Sequence, residues 1–210
     1  MSFVNRRRFL AMALGWPVVA QASTVIPSVN TQPVDLVETL LARAPVPRHS
    51  GELWVLVDDH DSTLSIFRGS ALLERFTPVS LGRGGAKTHR ISGGNVTPLG
   101  EFRINRFNYQ SRWHIFLGID YPTPPHARMA LENGIYSQAD YAAYFDYYRR
   151  HGYPPQNTRL GGAIGIHGLG QADPDIHGRF NWTQGCVALT NEQIDTLASL
   201  VNVGTRVVIR

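Results

Sequence analysis

One cysteine occurs in 210 residues, Cys186, in the run Asn181-Trp-Thr-Gln-Gly-Cys-Val-Ala-Leu-Thr190. A lone thiol cannot close an intramolecular disulfide. In an exported protein it is an inert buried side chain, an intermolecular bridge or a reactive nucleophile. A nucleophilic thiol needs a base, a positive neighbour or helix-end amides, because the unperturbed group is mostly protonated near neutral pH. Of the eight histidines, His167 is the best placed to be that base. It ends the apolar run Ala163-Ile-Gly-Ile-His167 and opens a glycine-containing loop that returns to Cys186. Two strand ends flanking one loop can lie side by side and present their side chains to a substrate. The local sequence suits acyl transfer: Gly185 allows close backbone approach, and the amides of Gly185 and Cys186 are candidate donors to an oxyanion. Thr183 braces the turn or orients the histidine, and Gly168, Trp182 and Gln184 are the supporting or substrate-contacting positions. The bland alternatives are a small buried hydrophobe for Cys186 and a histidine satisfied by backbone for His167.

A metal centre of His167, His177 and Cys186 matches no tight zinc spacing, and there is no C-x-x-C pair. No metal or cofactor is expected. His177 reads as a loop residue, and His60, His89, His114, His126 and His151 as surface or turn positions.

The elements that must position the pair follow from the apolar pattern. Leu53–Val57, Thr63–Phe67 and Leu72–Val79 are short β-type runs separated by turn signals. Thr97 to Ile104 reads as a turn into another strand, and Gly82-Arg-Gly-Gly85 as a glycine-rich loop. The middle, 105–160, reads as an irregular, aromatic, lid-like insertion whose clearest element is a helix from Tyr141 to Arg150. Ser137 with Asp140 resembles a capping box there, and Gly152 supplies the stop; the helix's tyrosines are core filler rather than a groove lining. Cys186–Leu189 is a short strand. Thr190 or Asn191 caps a helix with Ile194, Leu197, Ala198 and Val201 on one face. Thr205–Arg210 is a terminal strand.

The first 22 residues carry Arg6-Arg7-Arg8, a short apolar stretch and Ala20-Gln-Ala22, the pattern of a secretory signal peptide. Arg6-Arg-Arg-Phe-Leu10 also fits the twin-arginine pattern. The apolar stretch is too short for a bilayer span, which needs about 20 residues. Residues 23–50 read as a linker with a short helix over Val34–Arg43, and 51–210 as the functional domain. The full chain has 20 basic and 16 acidic side chains. Losing the three leader arginines leaves 17 against 16, a charge of +1 rather than +4. The basic excess therefore belongs to the leader, and nucleic acid is not an expected partner.

Ile166-His167-Gly168, then fifteen residues, then Thr183-Gln-Gly-Cys-Val187 resembles the signature of the L,D-transpeptidase (YkuD-like) catalytic domain family. Thr97-Pro-Leu-Gly-Glu-Phe102, the opening strands with Gly82, and Gly204-Thr-Arg-Val-Val-Ile209 are similar to further family elements, so the resemblance spans roughly Glu52 to Arg210. It implies a mostly β, sandwich- or barrel-like domain with a few short helices. It also implies that Cys186 attacks the carbonyl joining the L-centre of the diamino acid to D-alanine in a peptidoglycan stem peptide. His167 then serves as base and acid, and an amine of a second stem peptide or a wall-linked protein resolves the thioester. Two positions depart from the commonest pattern. Gln184 stands where a basic residue or histidine is frequent, and Ala188 where arginine or asparagine is. Arg112, Tyr109 and Arg159 are the candidates to supply the missing charge. Gly-Cys-Val-Ala-Leu-Thr-Asn resembles a subset with hydrolytic members, so an L,D-carboxypeptidase or an amidase releasing wall-linked protein is the alternative. A non-catalytic wall-binding module is the contrasting class.

Overall fold

The computed structural model describes residues 45–210. The expected leader and the helical stretch Val34–Arg43 lie outside the described residues.

Three antiparallel strands open the domain: β1 (Leu53–Asp58), β2 (Thr63–Arg68) and β3 (Ala71–Phe76). Val55, Val57, Leu64 and Ile66 from β1 and β2 are fully buried. A short parallel pair, β4 (Ala86–Lys87) and β5 (Thr97–Pro98), stands apart from the main sheet. The chain then runs through the long strand β6 (Gly100–Ser111) and returns along β7 (His114–Ile119). Strand β8 (Gly165–His167) lies antiparallel to β7, and β9 (Val187–Ala188) parallel to β8. The last strand, β10 (Arg206–Ile209), slots between β1 and β6. The order is β3-β2-β1-β10-β6-β7-β8-β9.

Strand β6 joins the two halves of this sheet. Its first residues, Gly100 to Arg103, pair with β10, and from Ile104 onward it pairs with β7. The far ends then meet: Ser80, just beyond β3, exchanges both backbone hydrogen bonds with Ala188 of β9, at 3.1 and 2.8 Å. This closure gives the expected barrel-like character and covers the β9 edge, which would otherwise present unpaired backbone groups.

Among the described residues three helices pack on the sheet. Helix α1 (Pro124–Glu132) starts with proline at its first positions, where a missing N–H costs nothing. Helix α2 (Gln138–His151) begins with the expected Ser137–Asp140 capping box and ends on Gly152 at φ 74°. Helix α3 (Asn191–Leu200) is capped by Thr190, which forms a reciprocal box with Gln193, and buries Ile194, Leu197 and Ala198.

The middle of the chain differs from the sequence reading. Residues 105–119 are not an irregular insertion but the β6–β7 hairpin, at the heart of the strand order. Phe102 and Ile104 alternate inward, whereas beyond them only Phe107 still packs on the core and Asn108, Tyr109 and Gln110 are exposed. The alternation that marks a half-buried strand is lost there. His126 is likewise no surface residue. It is 2% exposed, its ring nitrogens lie 2.7 Å from Thr123 Oγ1 and 3.0 Å from the Leu99 carbonyl, and it stacks on Phe102.

Candidate active site

The β8–β9 ladder puts the two expected groups together. His167 is in register with Ala188. Side chains alternate along a strand, so Cys186, two residues before Ala188, shares the face of His167. Both line one cavity of about 400 Å³, together with Trp182, Thr183 and Gln184 from the expected set.

His167 is 3% exposed. Its ring lies nearly parallel to those of Trp113 (centroids 5.1 Å apart) and Phe116 (6.4 Å), with Trp182 edge-on at 6.0 Å. Arg112 covers Trp113 and Arg106 covers Phe116, their guanidinium carbons 4.7 and 5.2 Å from the ring centres. Burial pushes the imidazole down to about 4 from 6.5, helped by the charge of Arg112. The ring is therefore neutral at pH 7. Nδ1 lies 2.7 Å from the Gly168 carbonyl and must carry the proton to donate there, which leaves Nε2 as the basic lone pair. Gly168 thus fixes the tautomer. It has no room for a side chain, since a Cβ would lie 2.7 Å from Asn191 Oδ1.

Cys186 is partly buried, and its Sγ donates to the Ala163 carbonyl at 3.7 Å. Ala163 holds a left-handed φ of 53°, uncommon for a residue with a side chain. Burial raises the thiol; the Gly165 backbone and the charges of Arg90 and Arg106 oppose that rise.

The turn that carries the thiol is braced from two sides. Thr183 Oγ1 donates to the Cys186 carbonyl at 2.7 Å and accepts the Gly185 N–H at 3.0 Å. Of the two roles open to Thr183, bracing the turn is the one seen. The Gly185 N–H, expected to face an oxyanion, is consequently engaged, which is a correction. On the other side Arg90, 6% exposed, donates to the carbonyls of Val96 (2.5 Å), Leu160 (3.2 Å) and Gln184 (3.2 Å). Gly185 has φ 125°, and a Cβ there would meet Arg90 Nη1 at 2.4 Å, so only glycine fits.

Arg90 is the residue that sequence reasoning missed; it sits in a polar stretch, and two of its three partners, Leu160 and Gln184, are far along the chain. Arg112 lines the cavity, as does Arg83, whereas Tyr109 and Arg159 do not. Among the described residues no acidic side chain lines it. The indole N–H of Trp182 is buried without a protein partner. His177 stays out of the constellation: its Nδ1 lies 3.1 Å from Ser80 Oγ.

A family model for the L,D-transpeptidase catalytic domain, YkuD, matches residues 52–209. The chain belongs to this family. Solved structures share the fold. The helical cell shape determining protein Pgp2 from Campylobacter jejuni superposes with a TM-score of 0.51 at 17% identity, over 78% of this chain and 52% of that one. A mutant of Pgp2 gives 0.52 at 16%, over 77% and 48%. Bd1075 from Bdellovibrio bacteriovorus gives 0.47 at 19% identity, over 76% and 48%. The chain spans about half the length of these structures. No curated protein matches it. In this L,D-transpeptidase-family domain the signature residues are thus grouped around one cleft, with a neutral imidazole, a neutral thiol and a cavity wall rich in hydrogen-bond donors.

Proposed function

We propose that this domain is a cysteine-dependent acyltransferase acting on peptidoglycan stem peptides. One observation carries the reading: Cys186 and His167 open into a cavity lined by Arg83, Arg90 and Arg112 and, among the described residues, by no carboxylate. Such a wall suits a substrate rich in carboxylates and amide carbonyls, as a stem peptide is. The Cys186 thiol gives its proton to His167 Nε2 as sulfur attacks the carbonyl between the L-centre of the diamino acid and D-alanine. The tetrahedral oxyanion is met by the Cys186 N–H and by the positive field of Arg90. His167 returns the proton to the departing D-alanine amine, and a thioester remains on Cys186. An incoming amine, deprotonated by the same imidazole, attacks the thioester and restores the thiol. Water in place of the amine gives the hydrolytic outcome.

The setting we propose is the periplasm or cell wall, reached through the leader at 1–22. Among the described residues no helix is long and apolar enough to cross a membrane. The fold shared with a cell shape determining protein supports a role in wall remodelling.

Purified protein exposed to a carbapenem-type β-lactam should gain one adduct per chain by intact mass, and Cys186→Ala none. An unmodified wild-type mass sinks the cysteine mechanism. Incubation with a disaccharide tetrapeptide then separates the outcomes: cross-linked dimer indicates transfer, and tripeptide alone indicates hydrolysis.

A further inference from the structure

A second cavity, also about 400 Å³, lies between helix α2 and the segment 155–159 that follows it. Its wall includes Tyr136, Asp140, Tyr147, Arg150 and Arg159. Between it and the catalytic cavity lies a polar cleft of about 330 Å³. The cleft shares Arg90, Gly162 and Gln184 with the catalytic cavity, and Asn157 and Thr158 with the second one. The three are therefore neighbours in series, from the cavity that holds Cys186 to the one that holds Arg150 and Arg159.

The chemistry at the far end is that of an anion site. Neither Arg150 nor Arg159 forms an ion pair within 4 Å among the described residues; Arg150 Nε donates to the Asp146 carbonyl at 3.1 Å, which leaves its two Nη groups for a ligand. Asp140 is the one acid among the described wall residues; its carboxylate is held by the Ser137 N–H at 2.9 Å and the Ser137 hydroxyl at 2.7 Å, and its charge feels Arg159, so two guanidiniums face one carboxylate and the wall keeps a net positive charge. Tyr136 is 2% exposed, and its hydroxyl, beside Thr158, has no hydrogen bond of good geometry. The rings do not present open faces for a sugar to stack on. Tyr144 is fully buried with its hydroxyl on the Pro122 carbonyl, and Tyr147 is covered by His151 and Tyr153. What remains is two guanidinium groups and a phenol hydroxyl, all donors.

We infer that this cavity is a remote subsite for a carboxylate of the stem peptide that lies upstream of the scissile bond. The inference rests on the stem peptide being the substrate. With its D-alanine end at Cys186, the rest of the stem lies along the polar cleft, and an upstream carboxylate arrives between Arg150 and Arg159.

The test uses Cys186→Ala protein, which binds without turning over. Titration calorimetry compares a stem tetrapeptide with the same peptide amidated at every carboxylate except that of the terminal D-alanine. Adding Arg150→Gln and Arg159→Gln should weaken the free-acid peptide about tenfold and leave the amidated peptide unchanged, as expected for charge-assisted contacts. Tyr136→Phe should give a smaller loss with the same selectivity. Equal weakening of both peptides, or none, overturns the subsite, as does a loss that appears only when the disaccharide is attached. Carbapenem labelling of the arginine variants with Cys186 intact should match wild type. Failure of the subsite is thus read separately from failure of the cysteine mechanism, which shows as unlabelled wild type.

Discussion

Two arginines are buried in this domain, and their surroundings are opposite. Arg206, 4% exposed, lies in β10 with Glu52 on its Nε and Nη2 at 2.8 and 2.9 Å and Glu101 at 3.4 Å, its guanidinium over Trp54. Arg90 has three carbonyls on its Nε and Nη1 and the Tyr121 ring 5.9 Å from its guanidinium carbon, with no carboxylate bonded to it among the described residues. Carbonyl dipoles satisfy those donors but do not cancel the charge, and burying an uncancelled charge is costly. Arg206 is thus neutralised where it joins Glu52, ahead of β1, to the final strand. Arg90 keeps a net positive field beside Cys186 and Gln184, near where the tetrahedral oxyanion would develop. Gln184 and Ala188 lack the charge frequent at their positions, and Arg90 brings one to the same turn from another segment.

Replacing each arginine by glutamine separates these roles and should give the largest effects. Arg90→Gln removes the positive field and loosens the Gln184–Cys186 turn. Its acylation by a carbapenem should slow by about a hundredfold, the scale seen when a single oxyanion donor is lost. Arg206→Gln takes away the two-pronged partner of the buried Glu52 and leaves Glu101 to Arg48 alone, and urea unfolding should show a loss of about 3 kcal/mol with the acylation rate of the folded protein unchanged. Equal kinetic losses in the two variants would erase the distinction.

The same two regions should part company in pH. Between about 6.5 and 4 the unfolded chain binds a proton at His167 that the folded protein refuses. Stability therefore falls as pH drops through that window, by on the order of 3 kcal/mol for this group. Glu52, held below 4.5 chiefly by its hydrogen bond to Arg206, works in a lower window. Its contribution is present above 4.5 and is lost as pH falls through the folded value. In the proposed mechanism acylation requires neutral His167, so its acid limb should lie near 4. Trp113→Leu opens the imidazole to water and should move that limb up by about one pH unit. A limb near 6.5 in the wild type would mean that the aromatic cluster does not set the basicity of His167.

The parts of this arrangement that were legible in the sequence rest on local signals. Val55 and Val57 alternate, Ser137 and Asp140 face each other across one helical turn, Thr190 precedes an amphipathic run, and the spacing of His167 and Cys186 survives in one dimension. The parts that were not legible depend on long-range contacts. Arg90 looks like an ordinary loop cation until Val96, Leu160 and Gln184 are brought around it. Trp113 and Phe116 read as scattered aromatics, because only the β7–β8 pairing lays Phe116 opposite His167. Helix α1 is hidden behind Pro124 and Pro125, which signal a turn as readily as a helix start.

The smallest effect concerns Thr183, the second brace on the turn. Its hydroxyl makes two bonds, to the Cys186 carbonyl and from the Gly185 N–H, and is buried. Thr183→Val keeps the shape and deletes both. Two backbone groups lose their partner, which costs about 1–3 kcal/mol each if nothing replaces it. Arg90 still holds the Gln184 carbonyl, so the turn should loosen rather than collapse, and acylation should slow about fivefold with the acid limb unmoved. Thr183→Ser retains the hydroxyl and should restore the rate. If the valine variant shifts the acid limb instead, Thr183 acts on His167 and not on the turn, and Arg90 would be left as the sole brace of the nucleophile.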